Sequence, residues 1–235
     1  FAGAGLFSIL AKLGLGISQI AIIHCIIIFM IIFAFSRYFL PYKGASNGKA
    51  IAIPKGIVTL FGVLAVISFL GEGGMMDWSG VFLTEAKGVD LSLAGVGYAV
   101  FSAAMLIGRL IGDKVVQKLG EQRVVIFGGI VASIGYIISI VFDNFFMMQF
   151  GFILLGFGAA NIVPVVFTLL GRQKEMPINS AVTAVTSMGY LGVMFGPALL
   201  GFIAHGIGIV TVFCILAGLF ILQAIVSSYV FKVLN

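Results

Sequence analysis

The 235-residue sequence predicts an all-α membrane protein, and three observations carry that prediction. The first is composition: 61% of residues are apolar and 9% are charged, with a mean hydropathy of +1.24. Soluble domains average about 45–50% and about 25%. Too few polar side chains remain to wet a surface of this size, so lipid must be the main solvent. The second is run length. Stretches such as Ile20–Phe35 are almost continuously apolar, as a helix of about 20 residues crossing about 30 Å of hydrocarbon requires. They lack the period-two alternation of a β-barrel. The third is sidedness, because 11 of the 13 basic residues fall on one side of the predicted spans. An ordinary soluble enzyme or binding domain is excluded. The formal charge of +5 is to be read by position and not as a sign of nucleic acid.

The elements follow in chain order. Phe1–Gly16 is apolar, short and interrupted by Lys12, and reads as the tail of a span cut by the start of the chain. It has no initial Met and no basic leader, so it does not read as a signal peptide. Seven full spans are expected: Ile17–Phe35, Gly56–Phe82, Leu91–Ile111, Val124–Phe142, Phe145–Leu170, Ser180–Ala204 and Ile209–Phe231. The stretch 37–55 holds Gly44, Ser46, Asn47 and Gly48 and reads as a flexible linker, dividing 1–36 from a six-helix unit at 56–235. Arg37, Lys43, Lys49 and Lys55, then Arg109, Lys114, Lys118 and Arg123, then Arg172, Lys174 and finally Lys232 share one side. Lys12 and Lys87 lie on the other, with Glu85, Asp90 and Asp143. Positive loops stay inside, so the C-terminus is expected in the cytoplasm. Cys25 and Cys214 sit in apolar runs as small buried hydrophobes, and His24 and His205 are isolated. The pattern implies no metal, no cofactor and no disulfide framework.

Chemistry-bearing residues cluster at a few places. Gly108-Arg109-Leu110-Ile111-Gly112-Asp113-Lys114 runs on to Gly120 and Arg123. Its glycines permit close helix approach and tight turns, and an Asp beside basic groups at a helix end can form a charge-assisted network. This segment resembles the signature loop of the major facilitator superfamily. It stands between the second and third helices after the linker, where that family carries it in each half. Gly192, Gly196 and Pro197, with Gly201, are similar to the family's Gly-Pro motif on the fifth helix of a half. Gly71-Glu72-Gly73-Gly74-Met75-Met76-Asp77-Trp78 is similar to the first helix of the C-terminal half in YbjJ-type bacterial inner-membrane permeases, relatives of fucose–proton symporters.

The resemblance implies a six-helix C-terminal half (56–235) preceded by the last one and a half helices of the N-terminal half (1–36) and the central cytoplasmic loop (37–55). The rest of the N-terminal half would then be a partner outside this sequence. Ala11–Gly16 faintly echoes Ala204–Gly208, as symmetry-related helices would. It also implies that Gly108, Arg109, Gly112, Asp113, Gly120 and Arg123 hold the cytoplasmic side closed in one state.

The residues themselves point to a solute path. Glu72 lies about 25 Å from the cytoplasmic end of its helix at 1.5 Å per residue. An ionisable group at that depth is costly and usually faces a cavity or a partner. Ala65, Ser68, Glu72, Met75 or Met76, and Ser79 share a face suited to an aqueous path, and Asp77 and Trp78 sit a turn further out. Tyr98, Ser102 and Arg109 form a second polar stripe, and Thr183, Thr186 or Ser187, and Tyr190 a third. Gly156, Gly158, Asn161 and Pro164 suggest a loosened helix in which Asn161 fixes either a solute hydroxyl or a partner helix. Small polar residues also glue helices together, so the stripes weigh more as sets than singly. Phe157 and Phe195 are candidate cavity aromatics, and the last helix is expected to be bland.

The expected function is a secondary transporter of a small, sugar-like solute in the bacterial inner membrane, working by alternating access and coupled to protons through Glu72. Glu72, Asp77, Tyr98, Asn161, Thr186 and Tyr190 are the substrate or coupling candidates. The rival readings are an exporter of amphipathic compounds and a non-transporting membrane assembly module. No nucleophile–base pair, metal cluster or phosphate loop points to an enzyme.

Overall fold

The computed structural model describes residues 6, 10, 13–38 and 52–234. Apart from residues 6 and 10, the expected tail of a span before residue 13 lies outside the described residues, as do positions 39–51 of the linker with Lys43 and Lys49. Every element described is helical, and seven stretches are long and apolar enough to cross a membrane. The chain divides into two units, 1–47 and 48–235.

The first unit holds α1 (Ile17–Phe35), closed by a 3-10 turn at Ser36–Tyr38. Its side chains are exposed nearly all the way round, as at Phe29 (70%) and Phe33 (74%). A helix that is apolar on every face is stable only against lipid or other helices.

The second unit is a bundle. Its elements are α2 (Ile57–Val81), continued by a π turn to Ala86, α3 (Val96–Leu110), α4 (Gly112–Leu119), α5 (Glu121–Val141), α6 (Phe145–Ala159), α7 (Ile162–Leu170), α8 (Ile178–Ile207) and α9 (Ile209–Leu234). The Asn144 side chain caps α6 by accepting from the Phe146 and Met147 amides. Gly208, at φ +91°, ends α8 and lets α9 begin at the next residue.

α2 packs against α8 and α9, α5 against α6 and α9, and α3 against α6. The core gathers around Tyr136, Phe213 and Phe220, and Phe82 stacks on Phe213 with centroids 4.1 Å apart. Glycines set the helix spacing. A Cβ on Gly135 would meet the Gly151 carbonyl oxygen at 2.5 Å, and one on Gly156 the Phe101 carbonyl oxygen at 2.6 Å. α6 therefore lies backbone to backbone with α5 and α3.

The expected span Phe145–Leu170 is broken. α6 stops at Ala159 and α7 starts at Ile162, with Asn161 between them at φ −108°, ψ 0°. Pro164 lacks the amide that would bond back to Ala160, which fits a break at this point. The loosening was expected. Gly156 and Gly158, however, serve close packing: a Cβ on Gly158 would meet the Ala132 nitrogen at 2.5 Å.

Oppositely charged contacts tie the two ends. Lys87 Nζ reaches Asp143 (2.7 Å) and the Ile140 carbonyl just beyond one end of α2. At the other end of α2, the Ile57 amide donates to Glu175 Oε2 (2.9 Å), and Arg172 pairs with Glu121 (2.8 Å).

Candidate functional site

Glu72 sits midway along the 30-residue span Ile57–Ala86, on the wall of a cavity of about 350 Å³ lined by α2, α3 and one residue of α8, Val193. Arg109, in the last turn of α3, donates from Nη2 to Glu72 Oε2 at 3.2 Å. The glutamate side chain is 18% exposed and the arginine 47%. Glu72 Oε1 is buried with no hydrogen-bond partner among the described residues. Among the described residues the pair is thus held by one contact, and Arg109 lines the cavity. Tyr98 and Ser102 stand on the same wall, and Phe69, Met76, Phe101 and Met105 supply its apolar part.

The structure joins two residues that the sequence reading had placed in different groups. Arg109, expected both in the signature segment and on the stripe with Tyr98 and Ser102, shares the cavity wall with those two and turns its side chain back to the middle of α2. Among the described residues neither Asp113 nor Arg123 makes an ion pair within 4.0 Å. The rest of the signature segment is built of close contacts. Gly108 packs against Ala160, and Gly112 against the Asn161 side chain. Gly120, at φ +82°, turns the chain between α4 and α5.

Of the other candidates, Tyr98 lies on this cavity. Asp77 is exposed and outside it, and Tyr190 is 59% exposed, stacked on Phe69 with centroids 6.1 Å apart. Thr186 is half-buried on α8 and does not line it. Asn161 Nδ2 donates to the Gly108 carbonyl (3.0 Å), which ties the helix break to the end of α3. The contact to a partner helix is the one seen here. Phe157 and Phe195 lie outside the cavity, and Phe69 and Phe101 take that place.

On the polar face of α2, Glu72 and Met76 reach the cavity and the rest is closed by packing. Ala65, Ser68, Met75 and Ser79 are all buried at 1% exposure or less. Ser68 Oγ accepts from Gln223 Nε2 (2.9 Å) on α9, so the last helix is not bland: Gln223 and Ser227 are fully buried polar groups. Burial on this face follows from the small residues themselves, because they admit α9 closely instead of water. Gly192 and Gly196 pack against Val66 and Leu70 of α2, and α8 continues past Pro197 without a break.

Sequence reading missed Tyr136, whose buried hydroxyl donates to the Gly71 carbonyl (2.8 Å) directly behind Glu72. A lone Tyr mid-span in an apolar run was the available signal. It also missed Glu175 as the cap of α2; its carboxylate fills the space a Cβ on Gly56 would need.

The Major Facilitator Superfamily profile matches residues 61–234. An uncharacterized MFS-type transporter of Yersinia pestis is 42% identical over 206 residues, covering 86% of this chain and 53% of the relative. An uncharacterized transporter of Sinorhizobium fredii is 31% identical over 160 residues, 68% of this chain and 42% of its own. Membrane protein MosC of Rhizobium meliloti is 30% identical over 150 residues, 64% and 37% of the two chains. The chain thus spans about half the length, or less, of the curated relatives it matches.

Proposed function

The chain belongs to the Major Facilitator Superfamily, and from that membership we propose that 56–235 is the C-terminal half of a proton-coupled permease. In this reading 1–36 ends the N-terminal half and 37–55 is the central loop. The protein spans the bacterial inner membrane with its C-terminus in the cytoplasm, and the two halves rock about a central site to move a small solute. Membership favours transport over enzymatic chemistry.

The observation that carries the proposal is the Glu72–Arg109 pair on the wall of an open cavity. An ion pair inside a span costs desolvation, and persists where geometry or function repays it. This pair has one contact and an unpartnered carboxylate oxygen, a poor arrangement for stability alone. A proton on Glu72 would free Arg109, and its loss would restore the pair, which makes the pair a two-position element that a solute can bias. Tyr98 and Ser102 would orient the solute. Asn161 and the Gly108–Arg123 segment would hold α3, α4 and α7 in register at the cytoplasmic end.

The test uses the protein with both halves, reconstituted in liposomes carrying an internal pH dye. Solute-driven proton uptake in the wild type and its loss in Glu72→Gln is the expected outcome. Uptake without proton movement, unchanged in Glu72→Gln, would make the protein a facilitator and Glu72 structural. Vectorial efflux of amphipathic cations would favour the exporter reading.

A further inference from the structure

We propose that the solute is a monoanion bearing a carboxylate, that it binds Arg109 in place of Glu72, and that it crosses with one proton, so that transport is electroneutral. This rests on the reading of the Glu72 cavity as the transport site.

Among the described residues Arg109 is the only cation on the cavity wall, and Glu72 the only carboxylate. A guanidinium carries five N–H donors in a planar fork that matches a carboxylate edge-on. Here one donor is used, at 3.2 Å, while 47% of the side chain is exposed. A bound carboxylate taking two parallel N–H bonds would out-compete this single contact. Neutral solutes gain nothing comparable from the fork. The cavity, about 350 Å³, has room for roughly a dozen non-hydrogen atoms if each occupies about the 30 Å³ of a water. Tyr98 and Ser102 suit hydroxyls on the remainder, and Phe69, Met76 and Phe101 suit its carbon skeleton.

Charge then fixes the stoichiometry. With Glu72 ionised the wall is neutral, one positive and one negative. An added carboxylate leaves one uncompensated negative charge in a poorly solvated site, which is unfavourable. A proton on Glu72 removes it. Among the described residues no other group near Glu72 supplies that compensation. Tyr98 on α3 and Tyr190 on α8 offer only phenol hydroxyls, Tyr136 on α5 has its hydroxyl committed to Gly71, and the buried polar residues of α9, Gln223 and Ser227, carry no ionisable group. A dianion would leave a charge even with Glu72 protonated.

The experiment compares D-gluconate with D-sorbitol, the same skeleton with the carboxylate replaced by an alcohol, and with glucose 6-phosphate. Acetate and D-galacturonate complete the panel. Binding is read from thermal shifts of the detergent-purified two-half protein at pH 5.5 and 7.5. Gluconate or galacturonate is expected to bind at least tenfold tighter than sorbitol, and tighter at pH 5.5. Arg109→Lys keeps the charge and loses the fork, and should weaken carboxylate binding at least tenfold. Glu72→Gln should bind the carboxylate equally at both pH values. In liposomes, uptake should follow the pH gradient and ignore a valinomycin-imposed potential. Sorbitol or the phosphate ester binding as tightly as the carboxylates, no carboxylate binding at all, or voltage-driven uptake would each overturn the inference. If a neutral solute is carried with protons, the permease reading stands and this one falls. If no solute moves protons, the permease reading falls as well.

Discussion

Tyr136 shows how much one hydroxyl can hold. It is fully buried, it touches the Phe213 and Phe220 rings, and its hydroxyl fixes the peptide beside Glu72. Tyr136→Phe keeps the packing and removes one hydrogen bond, a loss of about 1 kcal/mol. A lower melting temperature in detergent is expected. Tyr98→Phe, on the open cavity wall, should leave melting unchanged and slow transport. Asp90 offers a pH signature outside the spans. The Ser92 hydroxyl, and after it the Ser92 amide, donate to its carboxylate and hold its pKa below the ordinary aspartate range. A carboxyl with a depressed folded-state pKa contributes stability above its ordinary value, near 3.9, and loses it as the pH falls through the folded value. Melting temperature followed from pH 6 down to pH 2 should therefore fall less steeply below pH 4 in Asp90→Asn than in the wild type.

At the scale of elements, the broken span is the sharpest case. Asn161→Ala removes the tie from α7 to the end of α3, which should cost about 1 kcal/mol and lower the transport rate while leaving KM unchanged. A rise in KM alone would return Asn161 to the solute site. The seven spans were legible because each is a long apolar run bounded by charge or glycine, and the break was legible because proline cannot donate. Helix ends were less so. α8 runs from Ile178 to Ile207, beyond the expected 180–204, because polar Asn179 and His205 are tolerated at ends that reach water. Which face meets which helix was not legible. The stripe on α2 had the right residues, but Ser68 finds Gln223 155 positions later in the chain, and a pattern on one helix says nothing of its partner. The Glu72–Arg109 pair escaped for the same reason. An arginine side chain reaches a full helical turn back from a loop motif, so its position in the sequence did not fix its depth.

For the whole molecule, the exposed surface of the bundle is largely apolar, with Phe202 at 80% and Met194 at 71%, as suits a multi-pass membrane protein. Cys214 is exposed on α9 within the span Ile209–Leu234. In intact membranes it should react with N-ethylmaleimide and resist a charged, membrane-impermeant maleimide. A reporter fused after Asn235 should fluoresce as a cytoplasmic fusion and stay silent as an exported phosphatase. The glycine contacts also describe where this half is stiff. Along α5 and α6 main chain touches main chain, at Gly135 with Gly151 and at Gly158 with Ala132. Two such rods cannot slide without prising apart. Along α2 and α8, apart from Gly192 beside the Val66 carbonyl, the spacers are movable tips: Met188 over Gly62, Phe69 over Gly189, Leu70 over Gly196. One seam is a weld and the other a bearing, so bending strain entering the half is relieved along α8, beside the cavity wall, and hardly at all along α6.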